Sequence, residues 1–393
     1  MYLRLLLRVA CLCLLAVPAA GGAQARYSAA VAQAAKAACG KQVVLIGEAD
    51  HGDGATVQFK AELVERLVSK CGFNAVYFEI GSYDFLKVEE MVRAHRPIDA
   101  PMLASSVGAL WNRDAELAPL VHFLLPRVNS GTLLVGGIDD QIGALGAFYS
   151  LDQMETDLAS VLPEPRRSDC REQMRRRANY DYSNDHPHDA AAIAHLDRCL
   201  AEIQERLRSG RSDPLAENRL QMATEFRHSI ARDFLPVADL ILDRDRRMYE
   251  NFRWLMRRAG PHRKVILWCA TAHAAKGTAV SSDYDHGPNL GTLVGQEYGA
   301  RAFSIGISAA GGAHYWSRSE PSRPIPQAAP GSVEGLALAG SNADAIFVPA
   351  RQLRKDGRLA GSFNLHEPRV EHWDRLLDGA VILRAERPPV RIP

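Results

Sequence analysis

The sequence has almost no net charge and, beyond its first residues, no long apolar run. Its 393 residues include 47 Lys and Arg against 46 Asp and Glu, which gives a net charge of +1. Because no basic stripe alternates with aromatic residues either, the sequence predicts no nucleic-acid partner. No stretch approaches the ~20 consecutive apolar residues that a membrane-spanning helix needs. We therefore expect no membrane span, and small substrates suit this composition better than polyanions.

Three common enzyme motifs are also missing. The sequence contains no Gly-x-Ser-x-Gly nucleophile elbow, no His-Glu-x-x-His zinc motif and no Walker loop. Serine esterases, zinc proteases of that type and nucleotide-binding enzymes therefore lack support.

The N-terminus has the pattern of a secretory signal in residues 1–25. It combines two arginines, a short apolar core and the small-x-small site Ala23-Gln24-Ala25, a combination typical of cleaved signals. We expect cleavage near Ala25 and a periplasmic or secreted protein. A weakly hydrophobic anchor is the alternative.

Cysteine is scarce, and export changes how it is interpreted, because an oxidising compartment allows disulfides. Two of the seven cysteines lie in the signal. Cys39 and Cys71 precede the first two strand-like runs, so they would lie close together if those strands are parallel neighbours. Cys170 and Cys199 form the other plausible pair, which leaves Cys269 unpaired.

Short apolar runs separated by helical patterns predict an α/β fold, with a mostly parallel central sheet flanked by helices. These runs span residues 43–47, 74–80, 132–138, 264–269, 301–307, 344–350 and 379–384. An amphipathic helix at 57–69 joins the first two runs. A right-handed strand-helix-strand unit is the default for such a pattern, so we expect the first two strands to be parallel neighbours.

The pattern changes in the middle of the chain. We assign residues 26–150 to the first part of the α/β core, 151–255 to an inserted all-helical subdomain and 256–393 to the second part of the core. The Gly- and Pro-rich stretch 308–340 is a candidate flap over a site. The histidines of the insertion, His186, His188 and His195, lack tightly spaced Cys or carboxylate partners, so we interpret them as surface residues.

Polar residues follow several predicted strands at their carboxyl ends, where open α/β proteins bind ligands. They are Glu48 and His51 after the first strand, Glu79 in the second, Asp139, Asp140 and Gln141 after the third, and Cys269, Thr271 and His273 in and after the fourth. A lone Glu-x-x-His would be explained by a helix cap and a solvated loop. Convergence of two imidazoles with several carboxylates instead favours a site in which histidine takes a proton from water.

At these residues the sequence resembles the erythromycin esterase family, over about residues 41–385. The matching motifs are Gly47-Glu48-x-x-His51-Gly52, a cation at Lys60, Glu79, Trp111-Asn112 where the family opens a helix, Gly137-x-Asp139-x-Gln141, Arg244-Asp245-x-x-Met248 and the stretch 330–334. The family motif His-Asn-x-His keeps its second histidine as His273. Ala270 and Thr271 replace the other two residues.

The resemblance implies roles for these residues. Family members open macrolide lactone rings without a required metal, so His51 would be the general base toward water, and we expect no cofactor. Glu48 and Glu79 would orient and polarise it, and His273 would bind the substrate carbonyl or the developing oxyanion. The residues expected to bind the substrate, an ester or a lactone, are Lys60, Trp111, Asp139, Gln141 and Arg244.

Two other functions stay open on the sequence. Two histidines and two carboxylates also suit Zn²⁺ or Mn²⁺, as in an exported metal-dependent hydrolase resembling the Tiki-type relatives. A protein that binds haem or another small ligand without turnover is the third possibility.

Overall fold

The structure is a computed structural model and describes residues 26–142, 148–210, 213–281, 287–315 and 321–392. The predicted signal, residues 1–25, lies outside the described residues, so its cleavage and the export of the chain stay predictions. None of the described helices combines the length and the apolar character needed to cross a membrane.

A seven-stranded sheet forms the centre of the molecule, in the order β3-β2-β4-β1-β5-β11-β8. Neighbouring strands pair in parallel except at the edge, where β8 runs antiparallel to β11. The predicted mostly parallel sheet is confirmed. The strands are β1 Val43–Glu48, β2 Ala75–Gly81, β3 Leu134–Asp139, β4 Val265–Ala270, β5 Ala302–Ala309, β8 Ala345–Pro349 and β11 Gly379–Leu383, with the short pairs β6 Gly312–His314 and β7 Arg323–Ile325, and β9 Leu359–Gly361 and β10 Arg369–Glu371.

Helices cover both faces of the sheet, as the apolar runs predict. They are α1 Ser28–Ala38, α2 Gly54–Cys71, α3 Tyr83–Arg93, α4 Ala100–Val107, α5 Ala118–Asn129, α6 Met154–Ala159, α7 Arg166–Ala178, α8 Ala190–Ser209, α9 Pro214–Ala231, α10 Val237–Ala259, α11 Thr271–Ala274, α12 Leu290–Tyr298, α13 Val333–Leu338, α14 Ala350–Asp356 and α15 Trp373–Leu376. Every residue of β1 is buried. A strand covered on both faces needs such a continuous apolar run.

Helix α2 shows how the local sequence sets an element's limits. Its apolar positions Val57, Leu63, Val64 and Leu67 recur at helical spacing, and all four side chains are fully buried. The helix ends where Gly72 adopts φ 71°, a left-handed conformation that glycine enters without a steric penalty. The chain then turns directly into β2.

The expected adjacency of the first two strands is wrong. Strand β4 lies between β1 and β2 and pairs in parallel with both. The crossover through α2 therefore skips one position, which is filled by a strand almost 200 residues later in the chain. Local pattern identifies strands, but long-range pairing decides their order.

Both predicted disulfides are present, although the first has a different structural reason. Cys39 follows α1 and Cys71 ends α2, so the bond joins the ends of two helices that pack together, with the Cα atoms 4.9 Å apart. Cys170 and Cys199 connect α7 and α8 with a Cα separation of 5.3 Å. Cys269 is buried and unpaired, as expected.

Removal of the first disulfide is expected to destabilise the protein without changing its fold. Its loop spans 32 positions, and closing a loop of this length stabilises a folded chain by roughly 2 to 4 kcal/mol. A Cys39→Ala/Cys71→Ala double variant should show that loss in urea unfolding. Peptide mapping of the unreduced wild-type protein should recover both linked pairs; free thiols at 39 and 71 would contradict the assignment.

The region predicted to be an insertion is helical. In the described parts of residues 151–255 no strand occurs, and α6 to α9 bury an apolar cluster that includes Leu158, Leu200 and Phe226. Helix α10 continues to Ala259 and packs against β3. The subdomain boundary and the flap at 308–340 stay predictions.

Candidate functional site

Glu48 stands between a histidine and a lysine at the carboxyl end of β1. Its Oε1 lies 2.8 Å from Nδ1 of His51, and its Oε2 accepts a hydrogen bond from Nζ of Lys60. Lys60 comes from α2 and is fully buried, as is Glu48. Its ammonium also donates to the carbonyl of Cys269 at 3.1 Å and lies 4.2 Å from the ring centre of Trp268. The ammonium thus neutralises the carboxylate that orients the imidazole.

His51 is the accessible member of this group, with 32% of its side chain exposed. The ring of Trp111 meets it edge-on, with centroids 5.2 Å apart and an interplanar angle of 88°. Because a carboxylate only accepts hydrogen bonds, Nδ1 of His51 carries the proton toward Glu48. In the neutral ring the other nitrogen, Nε2, then holds the lone pair that a general base needs.

The surroundings of His51 favour its protonated form. Burial opposes the charge, but the hydrogen bond to Glu48 and the charges of Glu48, Glu79 and Asp50 together raise the pKa of His51 above its ordinary 6.5. A more basic imidazole accepts a proton from water more readily.

Trp111 does not open a helix, contrary to the family pattern. It lies in the turns between α4 and α5 and is fully buried, packed against Trp268 with ring centroids 6.2 Å apart. From this turn the indole contacts the ring of His51.

Arg244 forms the centre of a second charged group. From α10 it reaches the ends of β2 and β3, where Nη2 donates to Glu79 Oε1 at 2.9 Å and to Asp139 Oδ2 at 2.6 Å. Nε adds a bond to the same Asp139 oxygen at 2.9 Å. The hydrogen bonds to these two carboxylates fix the plane of the Arg244 guanidinium. The side chain remains 18% exposed.

His273 lies beneath Arg244 with both ring nitrogens engaged. Nδ1 is 2.9 Å from Asp245, and Nε2 is 3.1 Å from both Glu79 and Arg244. Burial disfavours the imidazolium, but the charges of Asp245 and Glu79 outweigh it and raise the pKa of His273 to about 10. Burial likewise opposes ionisation of Glu79, yet His273 and Arg244 hold its pKa well below the usual range.

These pKa directions predict how stability depends on pH. The pKa of His273 is raised in the folded protein, so its contribution is fully present below the unfolded value of about 6.5 and is lost as the pH rises toward about 10. The free energy of unfolding of His273→Gln should therefore approach that of the wild type between pH 6.5 and 10. His186→Gln, at an exposed position, is the control. Parallel curves for wild type and His273→Gln would contradict a charged His273.

The other predicted site residues lie in different settings. Gln141 is exposed near the end of β3, and its backbone N–H faces Asp139 Oδ1 at 3.3 Å. Asp140 forms a buried ion pair with Arg232. Asp245, which is not among the predicted site residues, contacts His273. Its signal was its position beside Arg244 in the Arg-Asp motif.

The two residues that depart from the family motif, Ala270 and Thr271, lie close to Glu79 and Gly47. The N–H of Ala270 donates to Glu79 Oε2 at 2.8 Å, so this contact depends on the backbone alone. A Cβ at Gly47 would come within 2.6 Å of Thr271, which explains the glycine at this position. Thr271 Oγ1 is buried and has no hydrogen-bond partner among the described residues.

Cations of the chain itself neutralise the carboxylates of the site. Lys60 contacts Glu48, while Arg244 and His273 contact Glu79. A divalent ion ligated by these carboxylates would therefore lie next to fixed positive charges, which repel it. The arrangement favours a metal-independent acid–base site over the metal-ligand interpretation of the same residues.

Comparisons with known proteins show which chains this protein resembles in sequence and in fold. A putative hydrolase of Bacillus subtilis (strain 168), YbfO, is 22% identical over 386 residues, covering 88% of this chain and 82% of the relative. Among solved structures, a Bacillus cereus protein has a TM-score of 0.70 at 17% identity and covers 91% of this chain and 92% of its own. A mutant of the erythromycin esterase EreC in its open conformation has a TM-score of 0.63 at 16% identity, covering 89% and 92%.

The erythromycin esterase profile matches residues 68–378. The match includes Glu79, Arg244 and His273, while the loop with Glu48 and His51 precedes it and joins the site through the fold. On this match the chain belongs to the erythromycin esterase family of hydrolases.

Proposed function

We propose that the protein hydrolyses an ester or a lactone with water activated by His51, without a covalent intermediate. The observation that carries this proposal is the chain of contacts Lys60–Glu48–His51, which ends in a partly exposed imidazole with a lone pair on Nε2. A buried carboxylate behind a histidine fixes its tautomer and stabilises the imidazolium that forms during catalysis.

The thiol and the hydroxyl at the end of β4 are both shielded from solvent. Cys269 and Thr271, which lie at the end of β4, are both fully buried. Burial also raises the pKa of the Cys269 thiol well above its usual range, so it is not a thiolate at neutral pH. Water is then the nucleophile that the arrangement supports.

In the proposed reaction, Nε2 of His51 takes a proton from water as the oxygen attacks the substrate carbonyl. Negative charge develops on the carbonyl oxygen, and Arg244, a partly exposed cation at the same edge of the sheet, can stabilise it. Collapse of the tetrahedral intermediate breaks the carbon–oxygen bond to the leaving alkoxide, which takes from His51 the proton that the water gave up. The products are a carboxylic acid and an alcohol, or a hydroxy acid from a lactone.

This mechanism gives His273 a different role from direct contact with the oxyanion. Both of its nitrogens face carboxylates, so we assign it to positioning. It contacts Glu79, whose carboxylate accepts a hydrogen bond from Arg244. The remaining predicted contacts of the substrate, at Gln141 and Asp139, border the same group.

A panel of lactones and acyl esters tests the proposal. We expect hydrolysis of at least one member with no burst of alcohol release and no acyl adduct in the intact mass of rapidly quenched enzyme. Cys269→Ala should retain this activity, since the thiol is outside the reaction. An adduct that accumulates within the first turnover would reject the water mechanism.

A further inference from the structure

The loop that carries His51 also carries two acids that contact buried histidines from distant parts of the chain. Asp53 Oδ1 lies 2.8 Å from Nε2 of His366, and Asp50 Oδ2 lies 3.0 Å from Nδ1 of His314. The two imidazole rings meet at 61° with centroids 4.6 Å apart. Four ligand-type side chains are thus gathered in one place beside the proposed catalytic base.

All four side chains are withdrawn from solvent. Asp53 is fully buried, and Asp50, His314 and His366 are each at most 8% exposed. Burying ionised groups is costly unless opposite charge accompanies them. Among the residues that the structure describes, no lysine or arginine pairs with Asp50 or Asp53, in contrast to Glu48 and Glu79 in the catalytic site.

Without a further cation Asp53 stays protonated, because burial and the charge of nearby Asp50 raise its pKa well above the usual range. Two arrangements would leave both acids ionised. Both histidines could be protonated, which would place two imidazolium rings in contact. A single divalent cation would instead neutralise both acids while both imidazoles stay neutral, the form in which histidine binds metals. The second arrangement avoids repulsion between the rings.

We propose that Asp53, His314 and His366 bind a divalent transition-metal ion such as Zn²⁺, at a site separate from the catalytic residues. One ligand atom from each of these residues lies within 4.8 Å of the others, and an ion with bonds of about 2.0 to 2.2 Å would draw them closer together. Asp50 either orients His314 from behind or supplies a further oxygen. Two nitrogens with one or two oxygens suit Zn²⁺, Co²⁺ or Mn²⁺.

The backbone around this cluster indicates what the ion would do. The N–H of Tyr315 donates to Gly52 O at 3.2 Å, and the N–H of Leu365 donates to Ala49 O at 2.8 Å. A Cβ at Gly52 would collide with the Tyr315 carbonyl, so the strands and loops approach closely here. An ion at the cluster would fasten the end of β6 and the loop 362–368 to the loop of His51.

Metal binding by the whole protein tests this inference. Protein stripped with a chelator and titrated with Co²⁺ should bind one ion per chain and develop visible d–d absorption. Zn²⁺ should raise the melting temperature. His366→Gln should lose both effects, because glutamine can still donate a hydrogen bond to Asp53 but is a poor metal ligand. The melting temperature of metal-free His366→Gln reports whether that variant folds, and His314→Gln provides an independent ligand variant.

The controls separate this cluster from the catalytic residues. His51→Ala and His273→Gln should bind Co²⁺ as the wild type does, and so should His186→Gln at an exposed position. Loss of the ion in His51→Ala and His273→Gln, with retention in His314→Gln, would move the metal to the catalytic residues and overturn the inference. Absence of stoichiometric binding in the wild type would also overturn it, and neither result would by itself reject ester hydrolysis.

Discussion

His51→Ala is expected to lower kcat by ~10²-fold or more on any true substrate, the usual scale for loss of a general base. The imidazole is the only part of the Lys60–Glu48–His51 chain with substantial exposure, at 32% of the side chain against 1% or less for the other two. Alanine leaves the buried ion pair intact. Stability should therefore change little, because the lost side chain is partly exposed.

The measurement is steady-state kinetics with a substrate from the ester and lactone panel, together with circular dichroism. His186→Ala, at an exposed position in the helical region, is the matched control and should keep wild-type kcat. Near-normal turnover by His51→Ala would end the assignment. Glu48-x-x-His51 would then be only a structural contact at the start of α2.

The sequence predicts the elements well because each depends on local pattern. Seven apolar runs correspond to the seven strands of the central sheet, and Gly72 terminates α2 as a stop signal should. The order of the strands depends on pairing between segments far apart in sequence. For this reason the position of β4 between β1 and β2 was not predictable from the βαβ pattern.

The candidate site, too, could be predicted from local pattern only in part. Glu48, His51, Glu79 and His273 were predictable because each follows or ends a strand, and parallel strands bring those ends to one edge. The partners that neutralise them come from helices. Asp245 contacts His273 from α10 across 28 positions. The Arg-Asp motif marks this residue, but the helical pattern alone does not indicate which helix face turns toward the sheet.

The cluster of Asp50, Asp53, His314 and His366 could not be predicted from local sequence pattern. Asp53 and His366 are separated by 313 positions, and Asp50 and His314 by 264. Metal motifs are recognised in sequence by short spacings between ligands. Ligands brought together only by the tertiary fold leave no such signal.

Lys60→Met is expected to destabilise the protein by about 3 to 5 kcal/mol, the usual cost of removing one partner from a buried ion pair. Methionine keeps most of the length and apolar volume of lysine, so packing beneath Trp268 is largely preserved. Glu48, only 1% exposed, loses the ammonium that accompanies it. Lys36→Met, at an exposed position in α1, should change the free energy of unfolding by less than about 0.5 kcal/mol.

A double variant distinguishes the charge from the shape of the lysine. In Lys60→Met/Glu48→Gln no unpaired charge is buried, so most of the stability lost in Lys60→Met should return in urea unfolding. The double variant should nevertheless have a much lower kcat than the wild type, because a neutral amide cannot stabilise the imidazolium of His51 during proton transfer. Recovery of stability together with wild-type kcat would show that Glu48 only positions the ring. Recovery of stability alone would assign the carboxylate charge to the reaction and Lys60 to the folded state that keeps this charge buried.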